Sequence, residues 1–248
     1  KEALAGVCFG AAAGAAAVLL YQKFIKSSDN GHVMDAIRNR RSHFFKSYSG
    51  ENVDQKVVWS MLNAAMWAPF HGRKVPWRFV VLGKERYQKL EKRTRDWYEN
   101  VYDGTESQRQ SALNCIDNSA KTWSKAAYAI PIIMKRAADP SKIMPEWEEM
   151  CAVASAVQNM QIQVTNFPDV GVYWSSWHSQ WRDSQDCNDF LEIAKDDKCL
   201  GCLIVGKLNE NVRPDQRKRV SAASISEWWL DDGKELTADP FQTTRTGA

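Results

Sequence analysis

Residues 68–82 read APFHGRKVPWRFVVL and connect a predicted helix to a predicted strand. Apolar residues at helical spacing fill positions 53–67, and Pro69 ends that pattern. Residues 77–82 (WRFVVL) are rich in β-branched and aromatic side chains, which is typical of a strand, and Gly83 closes the run. A loop in this position can wrap a ligand with its backbone groups, although a simple helix stop would have the same sequence.

Helical and strand patterns continue on both sides of this stretch. Helices are predicted over residues 32–41, 53–67, 84–102, 107–127, 146–167 and 189–194. Strands are predicted over residues 77–82, 129–134, 170–174 and 200–205. Strands interspersed among helices indicate an α+β or α/β domain.

The composition is that of a globular protein with an excess of tryptophan. The chain has 248 residues, of which 33 are Lys or Arg and 30 are Asp or Glu, so its formal net charge is +3. Spread over the whole chain, this charge is too small to indicate nucleic acid as a partner. The 11 tryptophans favour a flat ligand, because large rings need either burial or another ring to stack on.

The N-terminal stretch Ala3–Tyr21 contains no charged residue. A helix needs about 20 apolar residues to cross a bilayer core. We therefore expect a transmembrane anchor over residues 1–26, a linker over 27–32 and the folded domain over 33–248. Basic residues after the apolar run favour the cytoplasmic, matrix or stromal side for that domain. A signal or transit peptide and a buried core helix are the alternatives.

Several common enzyme classes lack their usual motifs in this sequence. Cys199 and Cys202 form a lone CxxC inside an apolar run, which favours small core residues over a zinc site. The 6 cysteines are scattered, which argues against a secreted disulfide framework and for a reducing compartment. The sequence has no GxGxxG, no Walker loop and no GxSxG turn, and its 4 histidines lack metal-binding spacing.

Arg40, Arg41 and Ser42 form a cationic turn at the end of the first predicted helix. Two guanidinium groups beside a hydroxyl suit a phosphate, because Arg binds phosphate oxygens through paired, charge-assisted hydrogen bonds. A solvated basic turn is the alternative, because charged runs are common on protein surfaces.

Taken in order, these segments resemble the nitroreductase family of flavoproteins across most of residues 33–219. The resemblance is carried by MDAIRNRRS at 34–42, AAMWAP at 64–69, PWRFVV at 76–81, QNM at 158–160, GVYW at 171–174 and LGCLIVG at 200–206. His71 is similar to the short single-domain branch, in which AP-x-H replaces the commoner APSxxN.

The resemblance implies an α+β fold with a mixed central sheet flanked by helices, and a homodimer with FMN at its interface. It also implies that NAD(P)H reduces the flavin, which then reduces a nitroaromatic, a quinone or a similar acceptor. Arg40, Arg41 and Ser42 are implied to hold the phosphate and ribityl end of FMN. The other implied cofactor-binding residues are Trp67, His71, Trp174, Ser175, Ser176, Arg217 and Arg219. No side chain is predicted to be catalytic, because the flavin performs the redox step.

The sequence departs from the family pattern at four places, one of which is residues 174–176 (WSS), where the usual Arg or Gly variants are altered and Trp177 adds bulk. Phe44 stands where many members carry a second Arg, so one phosphate contact is missing. Residues 73–75 (RKV) replace polar residues that read the flavin edge, and residues 171–173 (GVY) lack the second glycine of a GxG pattern. These differences bear on FMN retention and on substrate access.

Two other functions remain open from the sequence. A non-catalytic subunit of a membrane complex is favoured by the tryptophan excess and by Gly6, Gly10 and Gly14, which share one helix face. A dehalogenase similar to iodotyrosine deiodinase also joins an N-terminal anchor to this fold, but its lid does not map onto residues 83–117.

Overall fold

The computed structural model describes residues 31–210, 212 and 219–227. The chain divides into two units, residues 1–212 and 213–248. The helices described in the first unit are α1 (Gly31–Asn39), α2 (Gln55–Ala65), α3 (Lys84–Asn100), α4 (Glu106–Trp123), α5 (Glu146–Gln163), α6 (Ser179–Arg182) and α7 (Gln185–Leu191). The strands are β1 (Trp77–Phe79), β2 (Leu82–Gly83), β3 (Tyr128–Met134), β4 (Val170–Ser175) and β5 (Lys198–Lys207).

The second unit is described over residues 219–227 and contains one short 3-10 turn, Ala222–Ile225. The Ser224 hydroxyl donates a hydrogen bond of 2.7 Å to the Ser221 carbonyl. Arg219 is exposed there, whereas Arg217 lies outside the described residues.

The five strands form one sheet in the order β1–β3–β5–β4, with β2 also paired to β3. Every pairing between these strands is antiparallel. Within the described residues, parallel pairing is confined to a bridge between Ser42 and Val172. The predicted mixed sheet is therefore an antiparallel sheet with one parallel bridge. The parallel ladder cannot lengthen, because the chain after Ser42 soon curls into a 3-10 turn at Phe45–Ser47.

The two faces of the sheet pack against different helices. Val172 and Ile132 point into a core formed with α2 and α5. Tyr173, Ile133 and Ile204 point into a second core formed with α3, α4, α6 and α7. Successive residues of a strand point to opposite faces, so Val172 and its neighbour Tyr173 lie in different cores. The result is a sheet covered by helices on both sides, in agreement with the predicted α+β class.

Local sequence signals account for the ends of several helices. The Asp54 side chain accepts a 2.8 Å hydrogen bond from the Lys56 backbone N–H and so caps α2. Thr105 and Gln108 form a reciprocal capping box at the start of α4. These side chains satisfy backbone donors that the helices themselves leave without a partner.

The strand predicted over residues 77–82 is split into β1 and β2. Phe79 pairs with Ile132, and Leu82 pairs with Ala129. Pro131 lies between those two partners, and a proline has no backbone N–H to donate. Its carbonyl still accepts from the Val80 backbone N–H at 3.2 Å, but the ladder is interrupted there.

The helix predicted over residues 189–194 is wrong. The structure has α7 at Gln185–Leu191, capped by the Ser184 hydroxyl, and the unpredicted α6 at Ser179–Arg182. Of α7, only Cys187 and Leu191 are fully buried. Two apolar positions give too weak a periodic signal to locate a helix.

Among the described residues, no helix is both long and apolar enough to span a bilayer. The anchor predicted over residues 1–26 lies outside the described part of the chain. Helix α1 begins at Gly31, so the last two residues of the predicted linker, 27–32, are helical.

Candidate functional site

The cationic turn lies against β4, at the edge of the sheet. Ser42 forms a parallel bridge with Val172, and the His43 backbone N–H donates to the Val172 carbonyl at 2.9 Å. A Cβ on Gly171 would lie 2.7 Å from the His43 Cβ, so this glycine permits the close approach. The turn is therefore fixed to the strand that also carries Trp174.

The two guanidinium groups of this turn make hydrogen bonds to other parts of the protein. Arg40 Nη1 donates to Gln161 Oε1 of α5 at 3.4 Å, and Gln161 is buried. Arg41 Nη1 donates to the carbonyls of Arg38 and Arg40, the latter at 2.9 Å. Sequence reasoning missed Gln161. Its signal was a polar side chain among the small and apolar residues of a buried helix.

The turn has a positive electrostatic potential. Burial, and then the charges of Arg41 and Arg40, lower the pKa of His43 below its usual value. A field that disfavours a proton on His43 favours an anion at the same place. Two guanidinium groups beside the exposed Ser42 hydroxyl therefore fit a phosphate group in charge and in donor chemistry.

Trp174, Ser175 and Ser176 lie where β4 ends. They follow Val172 by two to four residues, which is roughly 7 to 13 Å along a strand. The Trp174 indole N–H donates to the Leu200 carbonyl at 2.8 Å, and Ser175 Oγ accepts from the Trp177 backbone N–H at 3.1 Å. The structure thus brings these three predicted residues close to the cationic turn.

A bulge in β5 determines where β4 ends. The pairs Pro131–Cys202 and Ile133–Cys199 enclose one extra residue on β5. Gly201 at this bulge has φ 105°, and a Cβ there would lie only 2.2 Å from the Ser175 carbonyl oxygen. The glycine therefore allows the Ser175 backbone to sit directly on β5.

His71 lies on a different part of the surface, whereas Trp67 lines a groove together with Ile162, the neighbour of Gln161 on α5. Trp67 is 87% exposed, and His71 Nδ1 is 2.9 Å from Glu148 Oε2 near the start of α5. Glu148 and Gln161 are 13 positions apart on α5, which corresponds to roughly 20 Å along a helix. A single chain therefore does not bring His71 beside Arg40.

The excess of tryptophan is explained in part by an aromatic cluster beneath the end of β4. Trp123 and Trp177 stack with ring centroids 5.0 Å apart, and the Trp177 indole N–H donates to Thr94 Oγ1 at 3.1 Å. Tyr98 and Trp123 both contact the ring of His178, with centroids 5.8 Å away. These rings pack on one another, so part of the signal that favoured a flat ligand is structural.

His178 makes the stability of the fold depend on pH. Burial lowers the pKa of His178 to about 4, whereas an unfolded histidine titrates near 6.5. Between these values the unfolded chain binds a proton that the folded chain excludes, so acid favours unfolding. We expect His178 to remove about 2 kcal/mol of stability between pH 7 and pH 5.

Urea unfolding of the wild type and His178→Gln at both pH values checks this expectation. Glu91 acts in the opposite direction, since burial raises its pKa to about 7 and its folded-state proton adds stability as the pH falls. The comparison is therefore best made in a Glu91→Gln background. A pH dependence that is identical with and without the histidine would contradict the assignment.

Comparison with known proteins identifies the family. The profile of the nitroreductase family matches residues 37–207, well over half of the chain. The chain belongs to the nitroreductase family. A comparison with curated proteins gives no match.

Solved nitroreductase structures share the fold at low sequence identity. A nitroreductase-like protein from Bacillus cereus is 20% identical, with a TM-score of 0.60 over 79% of this chain and 95% of that one. A Bacteroides fragilis nitroreductase with bound FMN is 17% identical, with a TM-score of 0.61 over 79% and 98%. The FMN-dependent nitroreductase NfnB from Mycobacterium smegmatis, in complex with NADPH, is 13% identical, with a TM-score of 0.58 over 81% and 99%.

The family match includes most of the predicted site residues. Arg40–Ser42, Trp67, His71 and Trp174–Ser176 all fall within the nitroreductase segment, 37–207. Arg217 and Arg219 fall beyond it. Their implied contacts with the cofactor remain predictions.

Proposed function

We propose that this nitroreductase-family chain binds FMN and passes electrons from NAD(P)H to a nitroaromatic, a quinone or a similar small acceptor. The observation that carries the proposal is the turn Arg40–Ser42, bridged to β4 beside Trp174. Shared fold with an FMN-bound nitroreductase and with one in complex with NADPH supports it.

Each element of the site has a defined role in this proposal. Bound FMN would supply the redox chemistry by taking two electrons from the nicotinamide and giving them to the acceptor. Arg40 and Arg41 bind the phosphate, and Ser42 donates a hydrogen bond to it. Gln161 positions the Arg40 guanidinium. The β4 end, with Trp174 and its neighbouring serines, borders the flavin.

We also propose a homodimer, with Trp67 and His71 contributed by the second chain. A groove of about 690 Å³ between α2 and α5 is lined by Trp59, Trp67 and Ile162 among others. Helix α1 adds the exposed side chains of Val33, Met34 and Ile37. An exposed apolar surface of this extent is typical of an interface, and a second chain covering it would complete the divided site.

Sedimentation of a Trp59→Glu variant tests the dimer. A buried, unpaired carboxylate is costly, so we expect the wild type to sediment as a dimer and the variant as a monomer at the same concentration. Lys142→Glu, on an exposed turn outside this surface, is the matched control and should remain dimeric. A monomeric wild type would contradict the divided site.

Anaerobic titration tests the redox activity. FMN-loaded full-length protein should lose its flavin absorbance on addition of NADH or NADPH, and a quinone or nitroaromatic should restore it. Free FMN at the same concentration is the control. Flavin that stays oxidised with both nucleotides would contradict the proposed electron transfer from NAD(P)H. FMN binding itself is measured separately, by fluorescence titration.

The departure at Phe44 predicts how FMN affinity can be raised. Phe44 is 49% exposed, and its ring lies 4.9 Å from that of Tyr173. Phe44→Arg adds a guanidinium next to the phosphate, so we expect FMN to bind about tenfold more tightly. Loss of the ring contact should lower stability by about 1 kcal/mol.

Fluorescence titration of FMN measures the affinity of this variant. Phe44→Ala is the matched control, because it loses the same ring contact without adding a charge, and its affinity should equal that of the wild type. An arginine variant that binds FMN no better than the alanine variant would place the phosphate elsewhere.

For residues 3–21 we propose a membrane anchor that holds the domain on the cytoplasmic, matrix or stromal side. The support is the uncharged sequence from Ala3 to Tyr21, which has about the length a bilayer requires. Carbonate extraction that released the intact protein would contradict it.

A non-catalytic subunit of a membrane complex is the alternative function, and the exposed apolar groove between α2 and α5 favours it as well. Migration of the protein in native gels only as a dimer would count against this alternative.

A further inference from the structure

Three buried thiols converge at the β5 bulge. Cys187 of α7 and Cys199 and Cys202 of β5 are all buried, and all belong to the same core. Strand residues three positions apart normally point to opposite faces. The extra residue at the Gly201 bulge changes this alternation, so Cys199 and Cys202 point to the same face of the sheet. Helix α7 supplies Cys187 on that face.

Cys187 and Cys199 are in direct contact. Their thiols are hydrogen-bonded, and that bond lowers the pKa of Cys199 while the pKa of Cys187 is raised. The nearby Arg182 guanidinium also lowers the pKa of Cys199, against the effect of burial and of Asp183. The Arg182 guanidinium therefore favours the thiolate, the nucleophilic form, at Cys199.

Only one of these two cysteines borders a cavity. A cavity of about 740 Å³ is lined by Cys199 together with Arg182, Lys195 and Lys198, among other residues. Cys199 is 8% exposed, whereas Cys187 is 0% exposed and does not line that cavity. Within the described residues, no cluster of three His, Cys, Asp or Glu is arranged to hold a metal ion. The arrangement places Cys199 at the cavity and Cys187 in the core behind it.

We propose that Cys199 is a redox-active thiol that reacts with hydroperoxides and forms a disulfide with Cys187. The Cys199 thiolate attacks one peroxide oxygen, the O–O bond breaks, and the departing alkoxide or hydroxide takes up a proton. The Cys187 thiol then attacks the resulting sulfenic acid, forms the S–S bond and releases water. Two thiols together lose two electrons and form the disulfide, and one hydroperoxide gains them, giving one alcohol and one water, or two waters when it is hydrogen peroxide.

Peptide mapping of the full-length protein after hydrogen peroxide treatment tests the proposal. The expected product is a Cys187–Cys199 cross-linked peptide pair that is lighter by two hydrogens than the sum of its reduced members. We expect it to form about tenfold faster than the exposed thiols Cys115 and Cys151 are oxidised, since Arg182 favours the thiolate at Cys199 and Cys187 is present to react with the sulfenic acid. A Cys199 that stays reduced after those thiols are oxidised would overturn the proposal.

Variants distinguish the roles of the three thiols. Cys187→Ser should accumulate sulfenic acid at Cys199, which dimedone traps, whereas Cys199→Ser should give neither product. Cys202→Ser is the matched control and should still form the Cys187–Cys199 bond. A disulfide between Cys199 and Cys202 in the wild type would overturn the assignment of Cys187. This outcome is measured on the wild-type protein, so it does not depend on whether any variant folds.

Discussion

Replacement of Arg40 and Arg41 together by alanine is expected to weaken FMN binding at least about 100-fold. Each charge-assisted hydrogen bond contributes about 1.5–3 kcal/mol, and two of them correspond to a factor of at least that size. The change also removes the two charges that, after burial, lower the pKa of His43. Titration of FMN fluorescence against protein measures the affinity directly.

The control for this experiment removes the same charge elsewhere. Arg86 and Lys89 are exposed on α3, and replacing both by alanine should change FMN affinity by less than about threefold, since surface charges are screened by salt. Circular dichroism checks that the Arg40/Arg41 variant folds with Gln161 left without its donor. Equal losses in both double variants would contradict a specific phosphate site at the turn.

Gly201→Ala is expected to destabilise the fold by about 3 kcal/mol. An alanine at φ 105° is strained, and its Cβ would lie 2.2 Å from the Ser175 carbonyl oxygen. The strand must shift to relieve that contact, because a backbone oxygen has no rotamer to change. In a domain of this size the melting temperature should fall by roughly 6 to 12 °C, which calorimetry measures.

Gly72→Ala is the matched control for the bulge. A Cβ on Gly72 would meet its nearest atom at 3.7 Å, which is an ordinary contact. We expect its melting temperature to stay within a few degrees of the wild type, since a substitution without strain costs little. A Gly201 variant as stable as this control would show that the bulge does not depend on glycine.

Much of the fold could be predicted where a periodic pattern is long. The helix predicted over 146–167 is observed as α5, Glu146–Gln163, and the strand predicted over 129–134 is β3, Tyr128–Met134. Both elements contain apolar residues at many positions, so their hydrophobic patterns are long enough to be recognised in the sequence. Helix α7 has only two fully buried positions, and its signal was too weak to place correctly.

The site could be predicted only in part, because its geometry depends on long-range contacts. The cationic turn was visible as Arg40-Arg41-Ser42, but its bridge to β4 depends on Val172, far along the chain. Gln161 was missed because nothing local links a helix residue to an arginine 121 positions away. The CxxC indicated small core residues, since the bulge and the third cysteine are tertiary features.

The distance between His71 and Arg40 within one chain could not be predicted for the same reason, because it depends on long-range contacts. Local sequence shows that both residues are polar and near predicted element ends, but not which surfaces meet in an assembly. In the structure His71 is bonded to Glu148 and Arg40 to Gln161, at distant points of one helix. A site built from both residues would take them from two chains, as in the homodimer proposed above.

The absorbance spectrum of the purified protein is the most direct test of FMN binding. Full-length protein is incubated with excess FMN, passed through a desalting column and examined in the visible range. We expect a yellow protein fraction with an oxidised-flavin spectrum and FMN approaching one per chain. A colourless protein fraction, with all of the FMN in the small-molecule fractions, would contradict it.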